Sequence, residues 1–287
     1  PDVVRDAEYV ARLPRTLHRL SYMSNATERN EQAVRDAAAA LVDAYATGNP
    51  IPPLRDSFEG MDIADAYRVQ KAQIPALTAK WGEIVGRKVG LTSLAMQKQL
   101  GVDSPDFGFF TKAQLYRDDA RIAADTFISP KVEPEFAFLL NKELSGGNIT
   151  RADVAEAIES VHAAIEIIDS RIKDWDITLP DTIADNASCG AVAISEAPLD
   201  VALEDLNATT CSLLIDGNVT GTGKGEDVLG DPLEAVAWLA NILHEQGDVL
   251  AAGQWVLPGS ITSAAPVDAG SSATADFGSL GTLTIHF

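Results

Sequence analysis

Apolar and polar positions change rhythm once along this chain. Between Glu28 and Gly48, Ala33, Val34, Ala37, Leu41 and Tyr45 recur at spacings that share one helical face, and Gly48, Asn49 and Pro50 stop the pattern. A second helix is predicted from about Asp62 to Trp81, within MDIADAYRVQKAQIPALTAKWG. After Gly82 short apolar runs take over. EIVGRKVGL reads as a strand, and SLAMQKQLG as a short helix ended by Gly101. Further strands are expected at ARIAA (120–124), VEPEFAFLL (132–140), IEIIDSRI (165–172) and GAVAIS (190–195). CSLLIDGNVTGTG reads as a hairpin with Asp216-Gly217 or Gly217-Asn218 at its turn. Two helices interrupt the strands: RADVAEAIESVHAA (151–164), and PLEAVAWLANILHEQG behind the Asp231-Pro232 start signal. Short strands close the chain in QWVLPGS, SATADF and GTLTIHF. The predicted class is α+β, with a small helical N-terminal lobe over 27–81 and a mixed, β-rich domain over 82–287. Regular β-α-β alternation is absent from the pattern.

Composition narrows the partners. The 287 residues hold 42 acidic and 22 basic side chains, a formal net charge of −20. Such a surface repels phosphate backbones and anionic lipid, so neither nucleic acid nor a membrane is an expected partner. No apolar run reaches the ~20 residues of a membrane span, and the first 25 residues lack the apolar core of a secretion signal. A cytoplasmic protein is expected. Cys189 and Cys211 have no zinc-like spacing and read as small buried residues in a reducing compartment. Residues 1–26, where Arg5, Arg12, Arg15 and Arg19 mix with Leu13, Leu17 and Leu20, read as an N-terminal extension, disordered or added artificially.

The stretch KVEPEFAFLL changes the picture most. Glu133 and Glu135 stand two apart and therefore share one face of their strand, with Pro134 on the other. Proline gives up a ladder hydrogen bond, which predicts an edge position or a bulge there. Glu166 is embedded in the apolar run AAIEIIDSR, where an unpaired carboxylate is costly. One explanation for three misplaced glutamates is a shared divalent cation, since Mg²⁺ and Mn²⁺ take oxygen ligands and leave room for a substrate. The alternative is an exposed edge strand, with Glu166 paired separately to a cation such as Arg171. Lys88, between Gly86 and Gly90 in GRKVGLTS, can hold a substrate carboxylate or move a proton; it can equally snorkel from a strand edge.

Three polar loops carry further candidates: DSPDFGFF with Asp106, DTIADNASCG with Asp185, Asn186 and Ser188, and LPGSITSA with Ser260, Thr262 and Ser263. Neither a G-x-S-x-G elbow nor a GxxxxGK[ST] loop occurs, which argues against a serine hydrolase and a P-loop nucleotide site.

Together, GRKVGLTS (86–93), QLGVDSPDFG (99–108), KVEPEFAFLL (131–140), IEIIDSRIKDW (165–175), DTIADNASCG (181–190) and GKGEDVLGDPLEAVAWLAN (223–241) resemble the 2-keto-4-pentenoate (2-hydroxypenta-2,4-dienoate) hydratases of the fumarylacetoacetase-like superfamily. The resemblance spans roughly residues 30–287. It implies a mixed β-sheet roll with a helical N-terminal part, making 82–287 the catalytic domain. It also implies a divalent metal on Glu133, Glu135 and Glu166, catalytic Lys88 and Asp106, and substrate contacts from Ser188 and Thr262. The implied substrate is a 2-hydroxydienoate hydrated in the meta-cleavage catabolism of aromatic compounds, with Mg²⁺ or Mn²⁺, no organic cofactor, and a homo-oligomeric assembly. The related 4-oxalocrotonate decarboxylases and fumarylacetoacetase-like C–C hydrolases are the alternatives on the same scaffold. His162, placed by this reading at a helix end, is expected to be structural rather than a hydrolase's catalytic histidine.

Overall fold

The computed structural model describes residues 28–93, 97, 102 and 104–287. The expected extension over 1–26 and most of the SLAMQKQLG helix lie outside the described residues. Helices α1 (Glu28–Thr47) and α2 (Ile63–Trp81) pack on each other. Asp62 caps α2 by accepting from the Asp65 amide at 2.8 Å. Buried Gln70 of α2 donates to the carbonyls of Phe107 and Ile183, and buried Gln73 to that of Ala184. These bonds tie the helical region to the strand that carries Phe107 and to a short helix, α4 (Leu179–Ala184).

Eight strands form one mixed sheet: β1 (Ile84–Gly90), β2 (Asp106–Thr111), β3 (Leu115–Tyr116), β4 (Lys131–Leu140), β5 (Ile158–Ile168), β6 (Cys189–Pro198), β9 (Trp255–Leu257) and β10 (Ala265–Pro266). The order is β2-β1-β9-β4-β5-β6-β3, with β10 pairing β4. The β1/β9 and β3/β6 pairs are parallel and the rest antiparallel. The remaining strands, β7 (Thr210–Ile215), β8 (Asn218–Lys224), β11 (Ser272–Asp276) and β12 (Thr282–His286), make a second sheet in the order β12-β11-β7-β8. The β7–β8 turn is Asp216-Gly217, both with positive φ, the geometry of a two-residue hairpin loop.

The larger sheet curls, so its two faces differ. One face joins the main core: Val132, Phe136 and Phe138 of β4 and Ile165 and Ile167 of β5 cluster with residues of α1, α2, the second sheet and α5 (Pro232–Glu245). The other face encloses a smaller apolar cluster of Phe110, Ala137, Ala164, Cys189, Val192, Ile194, Trp255 and Leu257. The mixed α+β architecture and the helical N-terminal region agree with expectation.

Several local expectations are corrected. The predicted helix over 151–164 ends at Ala157: α3 (Arg151–Ala157), capped by Thr150, passes directly into β5 at Ile158. Pairing of β5 along both β4 and β6 outweighs the helical look of IESVHAA, so His162 lies within a strand. ARIAA forms only an isolated bridge, Arg121 to His286. β4 is an interior strand rather than an edge. Pro134 falls between its β10 partner at Val132 and its β9 partner at Phe138, where no ladder hydrogen bond is asked of it.

A carboxylate-rich centre inside the curled sheet

Register brings the glutamates together. Glu133 lies directly opposite Glu166 across the β4–β5 pair, and Glu135 follows two residues on, on the same face. Like charges directly opposite repel, so this register is costly without a cation between them. One carboxylate oxygen from each of Glu133, Glu135 and Glu166 lies within 4.8 Å of the others. Glu135 and Glu166 are fully buried. Glu135 Oε2 accepts the Gly259 amide at 2.8 Å. Its Oε1 and both oxygens of Glu166 are buried without a hydrogen-bond partner.

Lys88 enters from β1, which pairs β2 on one side and β9 on the other. Its Nζ lies 3.2 Å from Glu166 Oε1, an ion pair whose alignment falls short of a hydrogen bond. The alternative pairing of Glu166 with Arg171 is not what forms; Arg171 pairs with Asp185 at 2.6 Å. Gly90, opposite Asp106, provides close approach: a Cβ there would stand 2.2 Å from Asp106 Oδ1 and 3.0 Å from Lys88 Nζ. Lys88 and the buried Asp106 carboxyl therefore lie side by side.

The charges do not balance. Among the described residues, Glu133, Glu135, Glu166 and Asp106 gather about Lys88, while Lys131 acts on Glu133 from further off and has its Nζ 4.2 Å from the Trp175 ring centre. Burial, then the Glu166 charge, pushes the Glu133 carboxyl up to about 7. Burial, then Glu166 and Glu133, pushes Glu135 well above the usual carboxylate range. Burial also raises Glu166 and Asp106, against the pull of Lys88. Burial alone would discharge Lys88, but Glu166 and Asp106 reverse that and hold its ammonium charge firmly. An all-oxygen donor set with buried oxygens that lack hydrogen-bond partners and an excess of negative charge fits a hard divalent cation.

The other candidates are neighbours in sequence of residues that touch this centre: Ser188 precedes Cys189, and Thr262 follows Ile261, whose amide donates to the Pro134 carbonyl. Ser188 is buried, with its hydroxyl 3.1 Å from that of Thr182. It ends a run of three left-handed residues, Asn186, Ala187 and Ser188, at φ of 54, 50 and 56. Such backbone costs on the order of 1–3 kcal/mol per residue and persists only where its surroundings enforce it. Cys189 follows, with its thiol against Glu166; burial, then that carboxylate, raises it well above the usual thiol range, so it stays neutral. The Thr262 hydroxyl turns back to donate to the Ser263 carbonyl at 3.0 Å, and its Cβ packs on Gly221 of β8.

Sequence reasoning passed over Gly259 and Cys189 as site neighbours. Gly259 has φ 131, and a Cβ would meet Thr92 Oγ1 at 2.1 Å. Its PGS context was the available signal. For Cys189, nothing in the sequence marked a contact with Glu166.

The profile of the fumarylacetoacetate (FAA) hydrolase C-terminal family matches residues 84–287, the stretch holding every residue of the centre. The chain belongs to this family. Among FAA hydrolase family relatives, the 2-keto-4-pentenoate hydratase of Burkholderia vietnamiensis (strain G4 / LMG 22486) is 40% identical over 260 residues, 90% of this chain and 98% of that protein. The 2-hydroxyhexa-2,4-dienoate hydratase of Comamonas testosteroni is 38% identical with the same coverage. A solved structure of 4-oxalocrotonate decarboxylase from Pseudomonas putida G7, complexed with magnesium and adipate, superposes with a TM-score of 0.84 at 32% identity, covering 90% of this chain and 98% of that one. A second structure of that decarboxylase holds calcium and acetate.

Proposed function

We propose that this FAA hydrolase family member is a metal-dependent hydratase that adds water to a 2-hydroxy-2,4-dienoate and yields a 4-hydroxy-2-oxo acid, as a step in meta-cleavage catabolism of aromatic compounds. The observation that carries the reading is the Glu133–Glu135–Glu166 cluster, half-buried at Glu133 and fully buried at the other two, whose buried oxygens lack hydrogen-bond partners beside Lys88 and Asp106. Hydratase names among relatives of 38–40% identity support it. The metal-bound neighbour structures, at 32% identity, support a divalent cation.

In this proposal the three glutamates hold Mg²⁺ or Mn²⁺. Bound there, the ion supplies Lewis-acid stabilisation of negative charge developing on the substrate's 2-oxygen. The ammonium of Lys88 faces the substrate carboxylate and offsets its charge. Asp106, whose carboxyl burial raises against the pull of Lys88, exchanges a proton with substrate carbon as the dienol gives up its 2-hydroxyl proton, gains one at C5 and becomes the conjugated 2-oxo-3-enoate. Water adds at C4 and a second proton at C3, which balances the overall addition of one water. Ser188 and Thr262 are assigned to substrate contact, Thr262 requiring its hydroxyl to turn from Ser263. No organic cofactor is needed for any of these steps. A cytoplasmic homo-oligomer completes the proposal; the free, buried Cys189 and Cys211 suit a reducing compartment, and solution mass by light scattering tests the assembly.

The decarboxylase reading is favoured by one specific observation, the close superposition on 4-oxalocrotonate decarboxylase. An ultraviolet assay on fresh 2-hydroxypenta-2,4-dienoate, run beside 4-oxalocrotonate with Mg²⁺, Mn²⁺ or chelator, separates the two. Metal-dependent loss of dienoate absorbance without CO₂ supports the hydratase. CO₂ release from the second substrate alone overturns it in favour of the decarboxylase.

A further inference from the structure

Away from the glutamates, a second buried charge cluster has no part in the chemistry just described. Arg171 and Asp185 are both essentially without exposure. The Asp185 carboxylate accepts from Arg171 Nε at 2.6 Å and from the Arg171 amide at 2.9 Å. The same guanidinium donates to two carbonyls four residues apart, Asp185 at 2.6 Å and Cys189 at 3.1 Å. Its plane lies over the Tyr45 ring at 4.2 Å, and the Tyr45 hydroxyl bonds the Cys189 carbonyl at 3.4 Å. One side chain therefore grips both ends of the turn 185–189, across the three left-handed residues.

That turn touches both walls of the carboxylate centre. Asn186 accepts from the Phe109 amide at 2.9 Å and donates to the Phe109 carbonyl at 2.8 Å, fixing β2 three residues from Asp106. Its own carbonyl presses on Gly108, the register partner of Lys88; a Cβ on Gly108 would stand 2.4 Å from that oxygen. At the other end, Cys189 opens β6 with its thiol against Glu166.

We propose that Arg171 and Asp185 are positioning residues, a clamp that holds the strained 185–189 turn and thereby sets Asp106 and Lys88 on one wall against Glu166 on the other. A buried ion pair is a poor source of stability, because well-packed apolar residues of similar volume commonly do as well. Apolar residues cannot bond two separated carbonyls from one rigid planar fork. The pair is therefore suited to fixing geometry. The catalytic consequence rests on the proposed hydratase function; the geometric claim does not.

The test uses the full chain with three changes: the double substitution Arg171→Met with Asp185→Leu, the single Arg171→Lys, and Ala187→Gly. Readouts are thermal midpoint, Mn²⁺ affinity by electron paramagnetic resonance, kcat and KM, and the native-state labelling rate of Cys189 in a Cys211→Ala background. For the double variant a near-normal midpoint is expected, with Mn²⁺ affinity down about 10- to 100-fold. Its kcat should fall roughly 100-fold with little change in KM, and Cys189 should label faster. Arg171→Lys, which keeps charge but lacks the fork, shows the same losses. Ala187→Gly relieves the left-handed strain, so its midpoint rises while Mn²⁺ affinity and kcat fall severalfold. A folded double variant with wild-type Mn²⁺ affinity, kcat and Cys189 labelling overturns the clamp. If the double variant does not fold, wild-type values of all three in Arg171→Lys and Ala187→Gly overturn it. If the wild type turns over no dienoate, the function reading fails, while Mn²⁺ affinity and Cys189 labelling still decide the clamp.

Discussion

Two buried charge clusters lie on either side of Cys189, and they are built on opposite principles. Around Arg171 the charges balance: one guanidinium faces one carboxylate and is held by three hydrogen bonds, and the Arg171 amide gives that carboxylate another. Around Lys88 they do not. Four carboxyl groups crowd one nearby ammonium, and three glutamate oxygens have no hydrogen-bond partner. A fold that can satisfy a buried arginine so fully has no physical need to leave glutamates unsatisfied. The contrast supports the proposal that the second cluster is completed from outside the chain, by a cation, whereas the first is complete as it stands.

The hardest blow to this contrast is to remove a ligand. Glu166→Ala is expected to abolish measurable Mn²⁺ binding and to lower turnover by about a thousandfold or more, the equivalent of several kcal/mol of lost charge stabilisation. Retained Mn²⁺ affinity, measured by titration calorimetry, would place the cation elsewhere. On the balanced side, Arg171→Ala strands the Asp185 carboxylate in the interior. A loss of about 3–5 kcal/mol in urea unfolding is expected. A loss under 1 kcal/mol would mean that the pair is wetter than its burial indicates.

A milder perturbation sharpens the same difference. Divalent cation at a hundredfold excess over its Kd should stabilise the folded chain by about 2.7 kcal/mol, a rise in Tm of roughly 5–10 °C for a chain of this size. Chelator should reverse the rise. An equal rise in Glu133→Gln with Glu135→Gln would break the link to the cluster.

The smallest expected effect is a pH slope. In the metal-free fold Glu133 is raised from its ordinary 4.5 to about 7, by burial and then by Glu166. Between those values the folded protein holds a proton that the unfolded chain releases. Its contribution to stability is therefore full below about pH 4.5 and is lost as pH rises through about 7. Urea midpoints measured with chelator across this window should fall more steeply for wild type than for Glu133→Gln. Identical slopes would remove Glu133 from the coupled set.

Much of the fold was written in local pattern. The α1 and α2 periodicity, the Asp231-Pro232 start of α5 and the Asp216-Gly217 hairpin each rest on interactions a few residues apart, which a one-dimensional reading captures. The failures came where long-range pairing decided the outcome. IESVHAA has helical composition but lies between two strand partners, and Pro134 sits in an interior strand because neighbouring strands leave a gap at that position.

For the site, the sequence by itself determined the chemistry on offer: two glutamates two apart in one strand, a third inside an apolar run, and a lysine between glycines. Carboxylates so placed are out of keeping with their surroundings, and that mismatch is visible without coordinates. Only the tertiary structure decided which groups meet. The β4–β5 register puts Glu133 opposite Glu166, the β1–β2 pair brings Asp106 beside Lys88, and Arg171 turns to Asp185 rather than to Glu166. These are contacts between residues far beyond a helical turn from one another in sequence. They depend on strand register and on a strained turn, and neither is fixed by the order of neighbouring residues.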